Sequence, residues 1–205
     1  MILFLTIVSG VAWTAVYIDA IRVGFRDRSY AIPAAALGLN FAWEVLYASR
    51  AVATGISAQG LFNIVWGLAD VAIVITFLKF GRAELPVWVT RRLFIGWAVL
   101  LAVTSFVVQW LFVVEFGWDD APRYSAFLQN LLMSGLFIAM FAARAGLRGQ
   151  SLLIGTAKWI GTLAPTVAFG WLANSPLILG LGGLCSVFDL AYVGLLWRAR
   201  QLSRR

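Results

Sequence analysis

The sequence has 205 residues and a formal net charge of +7; 62% of it is hydrophobic, 12% is charged, and none of it is histidine. Soluble domains are about 45–50% apolar and about 25% charged, so the surface of this protein as well as its core faces an apolar medium. With no His and a single cysteine, Cys185, the sequence excludes a His-based metal site, a Ser-His-Asp triad, a Cys-cluster metal site and an internal disulfide.

Apolar runs of about 20 residues, the length that spans a bilayer, follow one another along the chain. The predicted spans are residues 2–21, 31–50, 60–79, 93–114, 124–143, 151–173 and 177–197. The first run lacks the basic segment and cleavage site of a signal peptide, so it counts as a helix. The sequence therefore predicts an all-α integral membrane bundle of seven transmembrane helices, in one domain over residues 1–205.

Basic residues between the runs predict the orientation of the bundle. The first, third and fifth loops and the tail hold thirteen: Arg22, Arg26, Arg28, Lys79, Arg82, Arg91, Arg92, Arg144, Arg148, Arg198, Arg200, Arg204 and Arg205. The opposite side holds Arg50 and Arg123. Cytoplasmic loops of membrane proteins carry such an excess, so we expect the N-terminus outside and the C-terminus in the cytoplasm of a multi-pass cell-membrane protein. Topology explains these clusters better than binding of nucleic acid does, and we expect no nucleic-acid partner.

Five ionisable residues lie within the predicted spans: Asp19, Glu44, Asp70, Lys158 and Asp189. Such residues cost about 2.5–3.5 kcal/mol each by insertion scales and usually mark function. At about 1.5 Å of rise per residue, Glu44, Asp70 and Asp189 fall in one central slab of the bilayer. Asp19 and Lys158 lie nearer the cytoplasmic surface, where we expect Lys158 to extend its amine to the interface.

Each central acid shares a helix face with an aromatic residue. The three faces are Asn40, Trp43, Glu44 and Tyr47; Asn63, Trp66 and Asp70; and Cys185, Asp189 and Tyr192. Turned inward, they would enclose a pocket of aromatic walls with acids set into them. Desolvation keeps a carboxyl in such a pocket protonated, and aromatic rings stabilise cations, so the pattern is typical of a site that makes and guides a carbocation.

Three segments resemble motifs of the integral-membrane terpene cyclases of meroterpenoid and indole-diterpene biosynthesis. Gly38-Leu-Asn40-Phe-Ala-Trp43-Glu44 resembles their Asn-x-x-Trp-Glu motif, and the Trp66 to Asp70 segment resembles a third-helix Trp-x-x-x-Asp segment. Ser186-Val-Phe-Asp189 stands where that family has its second essential acid. The resemblance implies a seven-helix fold and a metal-free, proton-initiated cyclisation of a linear prenyl chain, with Glu44 and Asp189 as the acids.

The resemblance also implies a lipophilic prenylated small molecule as substrate, membrane lipid as surroundings, and no cofactor. Fungal members often protonate a terminal epoxide. Short bacterial relatives are similar to cyclases that protonate an alkene on a farnesylated indole cyclodipeptide, giving products of the drimentine kind. We place this sequence with that bacterial branch.

The candidate site combines the faces with the resemblance. The predicted catalytic residues are Glu44, Asp189 and Asp70. The predicted substrate-binding residues are Asn40, Trp43, Tyr47, Asn63, Trp66, Asn130, Phe188 and Tyr192. No metal ligand is predicted, and the Asp119-Asp120 pair beside Pro122 is interpreted as a solvated outer loop.

Structural alternatives stay open for each of these residues. The acids and Asn side chains can hydrogen-bond neighbouring helices, and the aromatic residues can simply pack. A rhodopsin-like photoreceptor is rejected, because the seventh predicted helix contains no lysine. A small proton-coupled transporter and a carotenoid-type membrane cyclase remain as alternative functions, although no inverted repeat of the transporter kind is detected.

Overall fold

A computed structural model describes residues 1–55 and 58–203, and all regular structure within them is helical. The helices are α1 (Ile2–Asp27), α2 (Ala34–Thr54), α3 (Ala58–Phe80), α4 (Arg91–Arg144), α5 (Leu152–Pro165) and α6 (Pro176–Leu202). A 3₁₀ turn, Gly81–Glu84, follows α3, and a π-helical segment, Thr166–Leu172, continues α5. The all-α prediction is confirmed.

Within the part of the chain that the structure describes, five segments are long and apolar enough to cross a membrane. They are Ile2–Asp27, Gly60–Glu84, Arg91–Arg144, Leu152–Leu172 and Pro176–Leu202. Helix α2 is not among them, since Asn40, Glu44 and Arg50 lower its mean hydropathy. It packs between α3 and α4, whose apolar side chains cover it. The protein is therefore a membrane protein whose most polar helix is enclosed by its neighbours.

Helix α4 has 54 residues and reverses direction in its middle. At Gly117 the backbone takes φ 70° and ψ 173°, a left-handed conformation that glycine adopts without a Cβ penalty. Gln109 Nε2 donates a hydrogen bond of 2.6 Å to Gln129 Oε1, whereas 20 residues of straight helix would separate them by about 30 Å. The helix thus consists of two arms, residues 91–116 and residues 118–144, folded against each other.

The reversal changes two predictions. We expected two spans, 93–114 and 124–143, joined by an outer loop, but Gly117 alone leaves helical geometry between them. Asp119 and Asp120 accordingly lie in the 118–144 arm, so the predicted loop is wrong, although both side chains are exposed as predicted. The described residues contain six α-helices where seven were predicted, because the two arms form one element interrupted by a single kink.

A polar cluster ties three connecting segments together at one end of the bundle. The Arg144 guanidinium bonds Glu84 Oε2 at 2.6 Å and the Tyr30 carbonyl oxygen at 2.9 Å. The Gly149 amide donates to Asp27 Oδ2 at 2.9 Å. The segments that follow α1, α3 and α4 therefore meet at this end of the bundle.

Close contact between α6 and the π-helical segment predicts a sharp steric effect at one glycine. A Cβ built on Gly182 would lie 2.0 Å from Thr166 Oγ1, whereas a Cβ on the adjacent Gly183 meets nothing within 4 Å. We expect Gly182→Ala to destabilise the fold by about 1–3 kcal/mol through overpacking. Thermal unfolding in detergent measures this, with Gly183→Ala as the matched control. Equal melting temperatures for the two variants would contradict the close approach.

Candidate active site

A cavity of about 320 Å³ opens between α1, α2, α3, the 118–144 arm, α5 and the π-helical segment. Its walls are largely aromatic: Trp13, Tyr17, Trp43, Phe62, Trp66, Phe127 and Phe169. Small-molecule sites have volumes of about 300–1,000 Å³ and mostly apolar walls with a few polar groups. This cavity meets that description at the lower end of the size range.

Glu44 is the buried acid of the cavity. Its α2 neighbours Asn40 and Trp43 line the same cavity, as expected of residues one turn apart. The Glu44 side chain is 3% exposed, and its Oε2 has no hydrogen-bond partner among the described residues. Trp43 is held in place because its Nε1 donates to the Pro122 carbonyl oxygen at 3.1 Å. The α2 face thus presents a carboxyl oxygen that is free to contact a bound molecule.

Asn40 links the cavity to Asp70. Its Nδ2 donates to the Tyr17 hydroxyl at 2.6 Å and to Asp70 Oδ2 at 2.8 Å. The Tyr17 hydroxyl lies 3.5 Å from the same Asp70 oxygen. Gln129 extends the network by donating to Asn40 Oδ1 at 3.5 Å. A continuous polar network therefore lies beside Glu44, one helical turn away at Asn40.

Asp70 is fully buried but does not line the cavity. Asn40 and Tyr17 line the cavity and are both bonded to Asp70. On the same helix Trp66 lines the cavity, with its Nε1 donating to Thr14 Oγ1 at 3.2 Å. Asn63, 4% exposed, is also buried but is not a lining residue. Helix α3 therefore contributes two wall residues, Phe62 and Trp66, and one supporting acid, Asp70.

Asp189 is engaged elsewhere in the bundle. Lys158 Nζ bonds both its carboxylate oxygens, at 2.8 and 3.0 Å, and donates to Ser134 Oγ at 2.7 Å. Lys158 is fully buried, so the expectation that its amine reaches the membrane interface is wrong. Asp189 does not line the cavity, and the expectation that three acids open onto one pocket is also wrong. The physical reason is the buried cation, which holds the Asp189 carboxylate among α4, α5 and α6.

Four further predicted binding residues are placed by the structure. Tyr47 is buried against Trp43, with ring centroids 4.8 Å apart, and does not line the cavity. Tyr192 is also buried away from it, donating to Gln150 Oε1 at 3.0 Å. Phe188 is 40% exposed on the bundle surface, because its helical position lies outside the packed face of α6. Asn130 does line the cavity, and its Oδ1 has no partner among the described residues.

Helix α1 supplies a wall that we did not predict. Thr6, Ser9, Gly10, Trp13 and Tyr17 all line the cavity. Their spacing follows successive helical turns, so a polar and aromatic stripe along α1 was the available signal. This stripe was not predicted, because the candidate site was built around intramembrane charges and α1 has no charged residue at this depth. Arg123 and Phe169 are two further lining residues that went unrecognised.

Within residues 1–55 and 58–203, no three His, Cys, Asp or Glu side chains approach closely enough to hold a metal ion. Asp70 Oδ2 is instead bonded by Asn40 and Tyr17, and both Asp189 carboxylate oxygens are bonded by Lys158.

The fold and the cavity define an all-helical membrane protein in which a buried acid faces an aromatic pocket. A family model described as Pyr4-like transmembrane terpene cyclases matches residues 1–202. The chain belongs to this family, and it is a membrane enzyme that cyclises terpenoids.

Individual relatives agree with the family match. The Pyr4-family terpene cyclase mfmH of Annulohypoxylon moriforme is 32% identical over 172 residues, which cover 82% of this chain and 69% of that protein. Terpene cyclase pyr4 of Aspergillus fumigatus is 26% identical over 208 residues, which cover 96% of this chain and 86% of that protein. Terpene cyclase ascF of Acremonium egyptiacum is 31% identical over 172 residues, which cover 75% of this chain and 61% of that protein. No solved structure matches the chain.

The Lys158–Asp189 pair generates a prediction about stability. Removing one partner of a buried ion pair leaves an uncompensated charge and costs about 3–5 kcal/mol, whereas replacing both with apolar residues is often neutral. We therefore expect Lys158→Met to lower the free energy of unfolding in detergent by that amount. Lys158→Met/Asp189→Leu should recover most of it.

The control for this prediction is an exposed ion pair. Asp120 lies 3.7 Å from Arg123 and is 54% exposed, so Asp120→Asn should cost less than about 1 kcal/mol. A double variant less stable than the Lys158→Met single variant would contradict the pairing.

Proposed function

We propose that this enzyme carries out a metal-independent, proton-initiated cyclisation of a linear prenyl chain attached to a polar acceptor. The observation that carries the proposal is the buried Glu44, which has an unpartnered carboxyl oxygen on a cavity with aromatic walls. The chain's membership of the terpene cyclase family supports the reaction class. A farnesyl chain on an acceptor such as an indole cyclodipeptide is the proposed substrate, on the strength of the sequence resemblance.

In the proposed first step, Glu44 gives its proton to the terminal alkene of the chain. A new C–H bond forms, the double-bond electrons are consumed, and a tertiary cation remains. Internal alkenes then attack the cation and close the rings, and loss of a proton from carbon ends the reaction, so that product and substrate have equal mass. A terminal epoxide would instead take the proton on oxygen. General acid catalysis of this kind contributes about 10²–10⁴ to the rate.

The cavity walls suit the cations that follow. Aromatic faces attract a cation within about 6 Å of the ring centroid and have no lone pair with which to trap it. Trp43 and Trp66 are held by hydrogen bonds from their indole nitrogens, so their rings keep fixed positions. Exclusion of water from such a pocket prevents premature capture of the cation.

The remaining polar residues are assigned supporting roles. We propose that Asp70 orients Asn40 and Tyr17 beside the acid, since it bonds both but does not line the cavity. Asp189 is assigned to positioning through Lys158 rather than to proton donation, because the Lys158 ammonium occupies both of its oxygens. Among the three predicted acids, Glu44 is therefore the proton donor in this proposal.

The proposal includes the topology of the bundle in the cell membrane. We propose seven crossings, with the two arms of α4 counted separately and α2 included as an enclosed span. The N-terminus is outside and the C-terminus cytoplasmic in this arrangement. Support comes from the reversal at Gly117 and from the basic segments that meet at one end of the bundle.

A conversion assay tests the proposed chemistry. Membranes containing the protein should convert a farnesylated indole cyclodipeptide to a product of equal mass and different retention, and EDTA should leave the rate unchanged. Glu44→Gln keeps the size of the side chain but has no acidic proton, so we expect turnover to fall at least about 100-fold.

The matched control is Glu115→Gln, which changes an exposed acid at the end of the 91–116 arm. It should retain full activity. Turnover by Glu44→Gln at the parent rate would remove Glu44 from the mechanism. Failure to convert a panel of prenylated substrates, or strong inhibition by EDTA, would contradict the proposed reaction.

A further inference from the structure

The cavity has two chemically different ends. Glu44, Tyr17 and Asn40 lie at the buried end, each no more than 9% exposed. Asp119 and Arg123 also line the cavity, but Asp119 is exposed and the Arg123 side chain is 40% exposed. The cavity therefore reaches the surface beside these two residues, which we call the mouth.

The mouth lies roughly two to three helical turns from the deepest part of the cavity, where Asn40 and Tyr17 meet. Gln129 lines the cavity next to Asn40, and six residues of helix separate it from Arg123, a rise of about 9 Å. Thr6 lines the cavity and lies 11 residues before Tyr17 on α1, a rise of about 16 Å. A molecule that contacts both ends must therefore be elongated.

The Arg123 guanidinium is held in place but not saturated. Its Cζ lies 5.2 Å from the centroid of the Phe169 ring, which belongs to the π-helical segment. Its nearest carboxylate, Asp120, is 3.7 Å away, beyond hydrogen-bonding distance. Among residues 1–55 and 58–203, no side-chain hydrogen bond from Arg123 is made. The contact with Phe169 therefore holds a guanidinium whose N–H donors make no hydrogen bond to the described residues.

A guanidinium of this kind suits one class of ligand group. Its fork of N–H donors matches the two oxygens of a carboxylate or the oxygen of a planar carbonyl group, and it cannot accept a hydrogen bond. Deeper in the same wall, two turns along the arm, Asn130 Oδ1 is buried without a partner among the described residues. Beyond the mouth the wall becomes aromatic, which suits a hydrocarbon chain.

We propose that Arg123 is the recognition residue for the polar acceptor end of the substrate, and that it binds a planar group bearing carboxylate or carbonyl oxygen. With this group at the mouth, the prenyl chain extends inward along the aromatic walls and folds back, so that its far terminus meets Glu44, which lies about one helical turn nearer the mouth than Asn40. The mouth thus sets the direction of the chain and decides which alkene meets the acid. This inference rests on the proposed function for the identity of the chain but not for the binding of its polar end.

A binding assay tests the mouth separately from turnover. Two probes share a chain of three isoprene units: farnesylacetic acid ends in a carboxylate, and β-farnesene has no polar end. Binding to the protein in lipid nanodiscs is followed by quenching of tryptophan fluorescence, since Trp13, Trp43 and Trp66 line the cavity. Arg123→Met should raise the Kd of farnesylacetic acid by about 10- to 100-fold and leave that of β-farnesene unchanged.

Arg50 provides a matched control. It also lies over an aromatic ring, with its Cζ 5.0 Å from the centroid of Trp118, but it does not line the cavity. Arg50→Met should change neither Kd. Arg123→Lys, which keeps the charge but loses the planar fork, should fall between the parent and Arg123→Met for the acid.

Three results would overturn the assignment. Equal weakening of both probes by Arg123→Met would show that the residue shapes the cavity rather than recognises oxygen. An unchanged Kd for the acid would show that Arg123 does not bind it. An equal effect from Arg50→Met would show general attraction of the acid to the surface. If the conversion assay fails while Arg123→Met weakens binding of farnesylacetic acid alone, the assignment of Arg123 is supported and the proposed reaction is contradicted.

Discussion

Buried polar groups in a lipid-embedded bundle must find their partners within the protein, because the surrounding hydrocarbon offers no hydrogen bonds. Most of the intramembrane polar side chains here obey this constraint. Asp70 is bonded by Asn40 and Tyr17, and Asp189 is bonded by Lys158. The Glu44 Oε2 and Asp70 Oδ1 atoms have no partner among the described residues, but of these two acids Glu44 alone lines the cavity with its aromatic rings. The place of Glu44 on the cavity is what separates the proposed proton donor from the supporting acids.

The two buried networks serve different parts of the molecule. The network of Asn40, Tyr17 and Asp70 joins α1, α2 and α3 behind the acid. The Lys158–Asp189 pair, with Ser134, joins α4, α5 and α6 on the other side of the bundle. The first network orients groups that line the cavity, and the second holds together helices that frame it.

Local sequence patterns predicted some of these features well. Helical spacing placed Asn40, Trp43 and Glu44 on one face, and the structure brings them to one cavity. The pairing of Lys158 with Asp189 could not be predicted from helical spacing, because their 31-residue separation becomes a 2.8 Å contact only when α5 packs against α6.

The reversal at Gly117 was also not predicted from the sequence. A single glycine with left-handed geometry turns the chain, so no polar loop marks the site. Tyr17 was overlooked because a tyrosine carries no charge to mark it.

The central claim is that an exchangeable proton of the protein starts the cyclisation. The most direct measurement is mass spectrometry of the product formed in D₂O from a substrate with a terminal alkene. If Glu44, equilibrated with solvent, protonates the alkene, the product carries one carbon-bound deuterium at the former chain terminus, and product incubated afterwards in D₂O does not acquire it. A cyclised product without carbon-bound deuterium would contradict the account, since the initiating cation would then arise without proton transfer from the enzyme.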